Sequence, residues 1–205
     1  MGERLQELTQ IMLAAAQRAG ADAADAMAVD GLSLHIDVRS GTLEQAERSE
    51  GIEIGLRVFL GRRQAVVSAS DTKAETIAAM AERAIAMARE APEDPYVGLA
   101  DASQLTTTRD ASSLDLADPG PEPDPAFLMN AAREAEAATL AVNGVSKAQG
   151  ASAGWSRTGV WLAATNGFSG GYSRTGASIS CTAIAGEGLG MERDYDGDAR
   201  IYAAD

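Results

Sequence analysis

The sequence predicts an α+β fold, in which a two-layer unit of helices on a small antiparallel sheet precedes a β-rich second part. Three observations carry that reading. Apolar residues recur at helical spacing over residues 3–19 and 72–90. Between those helices, apolar and polar residues alternate with period two at 32–38 and 52–60. After Gly144 the helical period disappears, and glycine, serine and threonine punctuate strand-like runs.

The opening helix is expected over about Glu3 to Ala19, with Leu5, Leu8, Met12, Ala15 and Ala19 on one face. Gly20 follows where a helix end needs a residue tolerant of positive φ. Leu32, Leu34, Ile36 and Val38 then alternate with Ser33, His35 and Asp37, the pattern of a sheet covered on one side. Ile52, Ile54, Leu56, Val58 and Leu60 repeat it, and Gly61-Arg62-Arg63 reads as a hairpin turn before a strand from Gln64 to Ser70. Asp71 is expected to cap the next helix, whose stripe is Ile77, Met80, Ala81, Ala84, Ile85 and Ala88. Pro92 and Pro95 stop that helix. Helices flanking such a sheet cover its apolar face, which sets a first domain at 1–100.

Between 101 and 124 the periodicity vanishes, and Asp110, Asp115, Asp118, Glu122 and Asp124 crowd around Pro119, Pro121 and Pro123. Prolines and mutually repelling carboxylates favour an extended acidic linker. A second domain, 125–205, opens with a helix capped by Asp124-Pro125 and buried through Leu128, Ala131, Ala135, Ala138 and Val142, with Asn143-Gly144 ending it. Within the strands that follow, Asn166-Gly167 is a two-residue hairpin signal that sets Thr165 opposite Phe168 and Trp161 opposite Tyr172. No later helix remains to cover this sheet. The chain also stops in mid-pattern at Asp205, as a truncated product would.

Thirty acidic against seventeen basic residues give a net charge of −13. Nucleic-acid binders displace phosphate counterions with a basic footprint, which is missing here, so no nucleic-acid partner is expected. No stretch reaches the roughly 18 consecutive apolar residues of a membrane span, and the N-terminus has no signal-peptide core, so a cytoplasmic location is expected. The single Cys181 forms neither a disulfide nor a ligand pair.

His35, the one histidine, lies on the polar side of its strand, and Cys181 sits among Ser180, Thr182 and Ile184. A nucleophilic thiol needs a neighbouring base, and these two are remote in sequence. Gly186-Glu187-Gly188-Leu189-Gly190 resembles a phosphate loop, yet Glu187 and Glu192 repel anions and no helix pattern follows. Asp194, Asp196 and Asp198, with Asp205 eleven residues after the first, match calcium-loop positions one, three, five and twelve. Ala199 replaces the required glycine and flanking helices are missing, so an acidic turn is the plainer reading. Ser156-Arg-Thr-Gly159 and Ser173-Arg-Thr-Gly176 are read as strand segments of like composition. No zinc-binding HExxH or HExxxH helix and no Gly-x-Ser-x-Gly elbow occurs, so no catalytic residue and no metal ligand is assigned.

Five stretches taken in order nevertheless resemble one family. They are Gly51-Ile-Glu-Ile-Gly-Leu-Arg-Val-Phe59, the run from Ala65 to Asp71, Ala91-Pro-Glu-Asp-Pro-Tyr-Val-Gly-Leu99, Ala164-Thr-Asn-Gly-Phe-Ser-Gly170 and Gly190-Met-Glu-Arg-Asp-Tyr-Asp196. Their wording is similar to the TldD/PmbA family, also labelled modulator of DNA gyrase. The wording of 166–170 and 191–196 favours its PmbA/TldE branch, of which this chain resembles the N-terminal portion. The resemblance implies an N-terminal α/β domain followed by a β-rich one. It also implies membership of a metallopeptidase acting on peptides and unfolded segments, assembled from a TldD-type and a PmbA-type subunit. Zinc is then expected in the TldD-type partner, on HExxxH, and no cofactor in this chain. Expected partners are a TldD-type subunit in a heterodimer, or a second copy, together with an extended peptide held along an open sheet edge. The alternative is a stand-alone binding or scaffold protein linked to calcium through Asp194, Asp196 and Asp198. An independent hydrolase using His35 or Cys181 is the weakest of the three readings.

Overall fold

The computed structural model describes residues 2–204. In chain order the elements are α1 (Gly2–Ala19), β1 (Ala23–Arg39), β2 (Thr42–Leu60), β3 (Arg63–Ala69) and α2 (Ala74–Glu90). They continue with α3 (Pro125–Leu140), β4 (Val145–Ala164), β5 (Ser169–Ala185) and β6 (Glu192–Arg200). The strands form one antiparallel sheet in the order β3-β2-β1-β4-β5-β6, and the fold is α+β. Its packing divides into two units, each drawn from three stretches of chain. The first comprises residues up to Gly31, Gly51–Asp115 and Thr158–Ser173; the second comprises Leu32–Glu50, Leu116–Arg157 and from Arg174 onward.

In the first unit, α1 and α2 pack their apolar stripes on the sheet. Leu5, Leu8 and Met12 from α1, and Ile77, Met80 and Ile85 from α2, meet Ile54, Leu56 and Val58 of β2. The six buried residues of α2 are those its periodicity picks out. Gly20, at φ 96°, closes α1 with Ala21 N–H on Ala16 O and Gly20 N–H on Gln17 O, the paired bonds of a Schellman end. β1 contributes Ala24, Ala26 and Ala28, small residues that let the helices sit close to the sheet. Residues 101–115 are hydrogen-bonded within this unit: Arg109 donates to Gly167 O and Ser169 O at 3.3 and 3.2 Å, and Ala100 O accepts from Asn166.

Two expectations in this unit are corrected. Asp71 is not the N-cap of α2. Lys73 holds that position, and the Asp71 carboxylate reaches in from outside to accept from Lys73 N–H at 3.2 Å and Thr76 Oγ1 at 2.7 Å. The hairpin after β4 is also one residue longer than Asn166-Gly167. Ala164 N–H donates to Phe168 O, and Gly167 takes φ 93°, the geometry of a three-residue loop with a left-handed last residue. Thr165 leaves the ladder because β1 claims it: its N–H donates to Ala24 O and its Oγ1 accepts from Ala24 N–H. Trp161 therefore faces Gly171 rather than Tyr172, with the indole against the space a Gly171 side chain would fill.

The second unit has its own core. Leu34, Ile36 and Val38 of β1 join Ala151, Ala153 and Trp155 of β4 and Cys181 of β5 beneath Leu128 and Ala132 of α3. A helix does cover this sheet, then, but it is the one before the strands. The buried face of α3 is Leu128, as expected, then Ala132 and Glu136, one position beyond the expected Ala131 and Ala135, which pack partly buried against the same core; the helix ends at Leu140, and Val142 is exposed. Glu136 explains the offset. Its buried carboxylate accepts Ser40 N–H at 2.7 Å and Gly41 N–H at 2.6 Å, fastening α3 to the β1–β2 turn. That turn has φ of 53° and 71° at Ser40 and Gly41, the mirror-image form that suits strand twist. Residues 116–124 are likewise tied in: Thr175 N–H donates to Leu116 O, and buried Thr175 Oγ1 accepts from Asp118 N–H and donates to Ile201 O.

Candidate functional site

Strand alternation gives the second unit's sheet two chemically different faces. Even residues of β1 and odd residues of β4 point into the core under α3. The opposite face carries Ser33, His35 and Asp37 from β1, Ser152, Gly154 and Ser156 from β4, and Arg174, Gly176 and Ser178 from β5. A cavity of about 450 Å³ lies on this polar face. Glycine makes its floor flat. A Cβ at Gly154 would stand 3.2 Å from Ser178 Oγ and 3.5 Å from His35 Nδ1, and one at Gly176 would stand 3.6 Å from Ser156 Oγ. Arg174, Arg200 and His35 line this trough, and no aspartate or glutamate does. A smaller apolar cavity of about 200 Å³ lies by α3, between Phe127, Leu128, Ile179 and Tyr202.

His35 Nε2 lies 3.0 Å from Asp37 Oδ1, and Ser152 Oγ donates to the same oxygen at 2.5 Å. This is not a nucleophile–base–acid relay, because the carboxylate sits between hydroxyl and imidazole. Cys181 lies on the other side of the sheet, buried in the α3 core, so the lone thiol and the lone imidazole face apart. Asp37 and His35 supply two donors together, and among the described residues no three His, Cys, Asp or Glu side chains converge. A metal centre needs more ligands than this. These residues do not fit a catalytic zinc.

Asp194, Asp196 and Asp198 form neither a calcium loop nor a turn. They occupy alternate positions of β6, opposite Ala183, Cys181 and Ile179 of β5. Each carboxylate accepts the N–H of the following residue, Tyr195, Gly197 or Ala199, at 2.9, 2.9 and 2.8 Å, and Asp198 also pairs with Arg200. Asp205 lies outside the described residues. The Gly186–Gly190 segment is a bend and one 3₁₀ turn, with φ of 78° and 56° at Gly186 and Gly188, and it opens no helix that could face a phosphate. The two Ser-Arg-Thr-Gly segments lie in β4 and β5, as strand segments should.

The trough itself escaped sequence reading. Its residues belong to three strands far apart in the chain and form no motif. The available signal was alternation, which turns Ser33, His35 and Asp37 away from the core.

No helix is long and apolar enough to cross a membrane among the described residues. The family model for PmbA/TldA metallopeptidase domain 1 matches residues 24–88, and that for the central domain matches 118–205. Metalloprotease PmbA of Escherichia coli is 33% identical over 189 residues, 91% of this chain and 40% of that protein. The metalloprotease PmbA homolog of Haemophilus influenzae is 29% identical over 197 residues, 95% of this chain and 42% of that one. The chain thus spans about two fifths of these relatives' length. Two solved structures share its fold: a Bacteroides thetaiotaomicron protein labelled modulator of DNA gyrase (TM-score 0.80, 18% identity, 97% of this chain and 45% of that one) and TldE from Thermococcus kodakarensis (TM-score 0.76, 14% identity, 96% and 43%). With two domain models matched in order over most of its residues, the chain belongs to the TldD/PmbA metallopeptidase family.

Proposed function

We propose that this chain supplies domain 1 and the central domain of a PmbA/TldE-type subunit. That subunit works in a cytoplasmic two-part zinc metallopeptidase that degrades peptides and unfolded segments. The observation that carries the reading is the 33% identity with a metalloprotease PmbA along 91% of the chain. The zinc and its ligands belong, in this reading, to a TldD-type partner. This fits a donor set in which His35 and Cys181 lie on opposite faces of one sheet and do not combine. The role left to this polypeptide is to pair with the catalytic subunit and to hold extended substrate beside it.

The test is reconstitution. The chain is co-expressed with a TldD-type protein, the two are purified together, and cleavage of an unstructured peptide is followed with and without chelator. Cleavage that needs both chains and stops with chelator is expected. Cleavage of unchanged rate when this chain is left out would overturn the proposal.

A further inference from the structure

We propose that the polar trough on the β1-β4-β5 face of the second unit binds the terminal carboxylate of an extended peptide, with Arg174 as its principal anchor. The charge distribution points there first. In a chain of net charge −13, the basic side chains on this face of the trough are Arg174 and His35, Arg200 being paired with Ala177 and so turned to the α3 side, and no aspartate or glutamate lines it. A cleft lined by one sign of charge concentrates ligands of the other sign, even on a protein of unfavourable overall charge.

The partners of each basic side chain single out Arg174. Arg200 is engaged by Asp198 and by Ala199 O, and His35 by Asp37. Arg174 is exposed and makes no hydrogen bond or ion pair among the described residues. Its planar fork matches a carboxylate through two parallel bonds, the geometry that makes such pairs strong and directional. Ser33, Ser156 and Ser178 add hydroxyl donors along the same face.

Shape selects a peptide end over a bulky acid. Gly154 and Gly176 put no side chain of their own on the floor, where Ser178, His35 and Ser156 present polar atoms beside them, and about 450 Å³ accepts a few small residues. The β6 edge is a poorer place for that peptide. The amides of Tyr195, Gly197 and Ala199 are already held by the aspartates before them, and a guest strand would have to displace those carboxylates.

The inference rests on the peptide-handling reading above for the identity of the ligand, and the two are tested apart. Calorimetric titration of the 205-residue chain uses tri-alanine with a free carboxylate, amidated tri-alanine, an amidated tripeptide ending in glutamate, and acetate. Free tri-alanine is expected to bind at least about tenfold more tightly than its amide, the loss typical of a charge-assisted pair. Arg174→Met is expected to lose a similar factor and Arg174→Lys to lose less, with the thermal midpoint of both unchanged. Equal binding of the amide, or binding untouched by Arg174→Met, overturns the assignment. So does binding of acetate or of the glutamate-bearing amide as tight as that of free tri-alanine, and so does no binding at all. Cleavage independent of this chain would remove the peptidase role while leaving a positive titration standing.

Discussion

Replacing Glu136 with alanine tests whether α3 is held in register by a side chain that periodicity alone passes over. Its two oxygens accept Ser40 and Gly41 N–H at 2.7 and 2.6 Å, while the residue itself is 3% exposed. A hydrogen bond to a charged group is worth about 1.5–3 kcal/mol, which sets an upper bound near 6 kcal/mol for the pair. Two effects reduce that figure. Ser40 and Gly41 are exposed, so water satisfies their amides once the carboxylate is gone. The buried charge also carries a desolvation penalty that alanine relieves. A net loss of about 2 kcal/mol remains, or about 4–8 °C in thermal midpoint for a chain of this size. Glu136→Gln should lose part of this, because its amide NH₂ sets a donor against one of the two N–H groups. The assay is thermal denaturation together with hydrogen exchange at Ser40 and Gly41, whose amides should exchange faster in the alanine variant. A midpoint within 1 °C of the parent, with exchange unchanged at both amides, would refute the argument.

Two further outcomes follow from local geometry. Gly171→Ala places a methyl onto the Val160 carbonyl oxygen and 2.5 Å from Trp161 Cε3. Overpacking of this kind should cost about 2 kcal/mol in denaturant melts, while the exposed control Gly98→Ala, with nothing within 4 Å, stays within about 0.5 kcal/mol. The Asp71 carboxyl is held below its ordinary 3.8, first by the Thr76 hydroxyl and then by the Lys73 amide. A depressed carboxylate stabilises the fold above its unfolded pKa and loses that contribution as pH falls through the folded value. Thr76→Val should therefore move the Asp71 carboxyl, followed by NMR titration, back up toward 3.8; an unmoved titration would assign the depression elsewhere.

Helices were the most legible part of the fold, because a stripe such as Ile77 to Ala88 needs only local spacing to be read. The first half of β1 was not legible. Ala24, Ala26 and Ala28 alternate correctly, yet alanine carries no strand preference, and its value lies in how close α1 and α2 approach. The first half of β2 was hidden for the opposite reason. Residues 42–51 are exposed on both faces, so no alternation exists to be read. Long-range polar contacts account for the other misreadings. Thr165 leaves its hairpin for Ala24, and Glu136 turns inward for Ser40 and Gly41, partners more than ninety residues away that local patterning does not see. The trough was half legible, in the alternation of β1, and the other half depended on which strands become neighbours.

The acidic excess has a structural meaning once the strands are placed. The pairing of β3 with β2 runs only from Ile54 to Leu60, so in the second unit residues 42–50 of β2 form one edge and β6 the other. The first edge carries Glu44, Glu47 and Glu50, and the second carries Glu192, Asp194, Asp196 and Asp198, all exposed. Charged edges resist pairing with other strands, and on β6 the aspartates also occupy backbone amides that an incoming strand would need. Negative charge is thus concentrated where strand addition must be prevented, and it is excluded from the trough, where Arg174 stands without a partner among the described residues. Under the proposed peptide-handling role, unfolded segments have to be discouraged from zippering onto the sheet edges while being given a place to rest. The same charge separation does both: it repels an extended chain's terminal carboxylate from the two edges and leaves the polar face as the favourable place for it to lie.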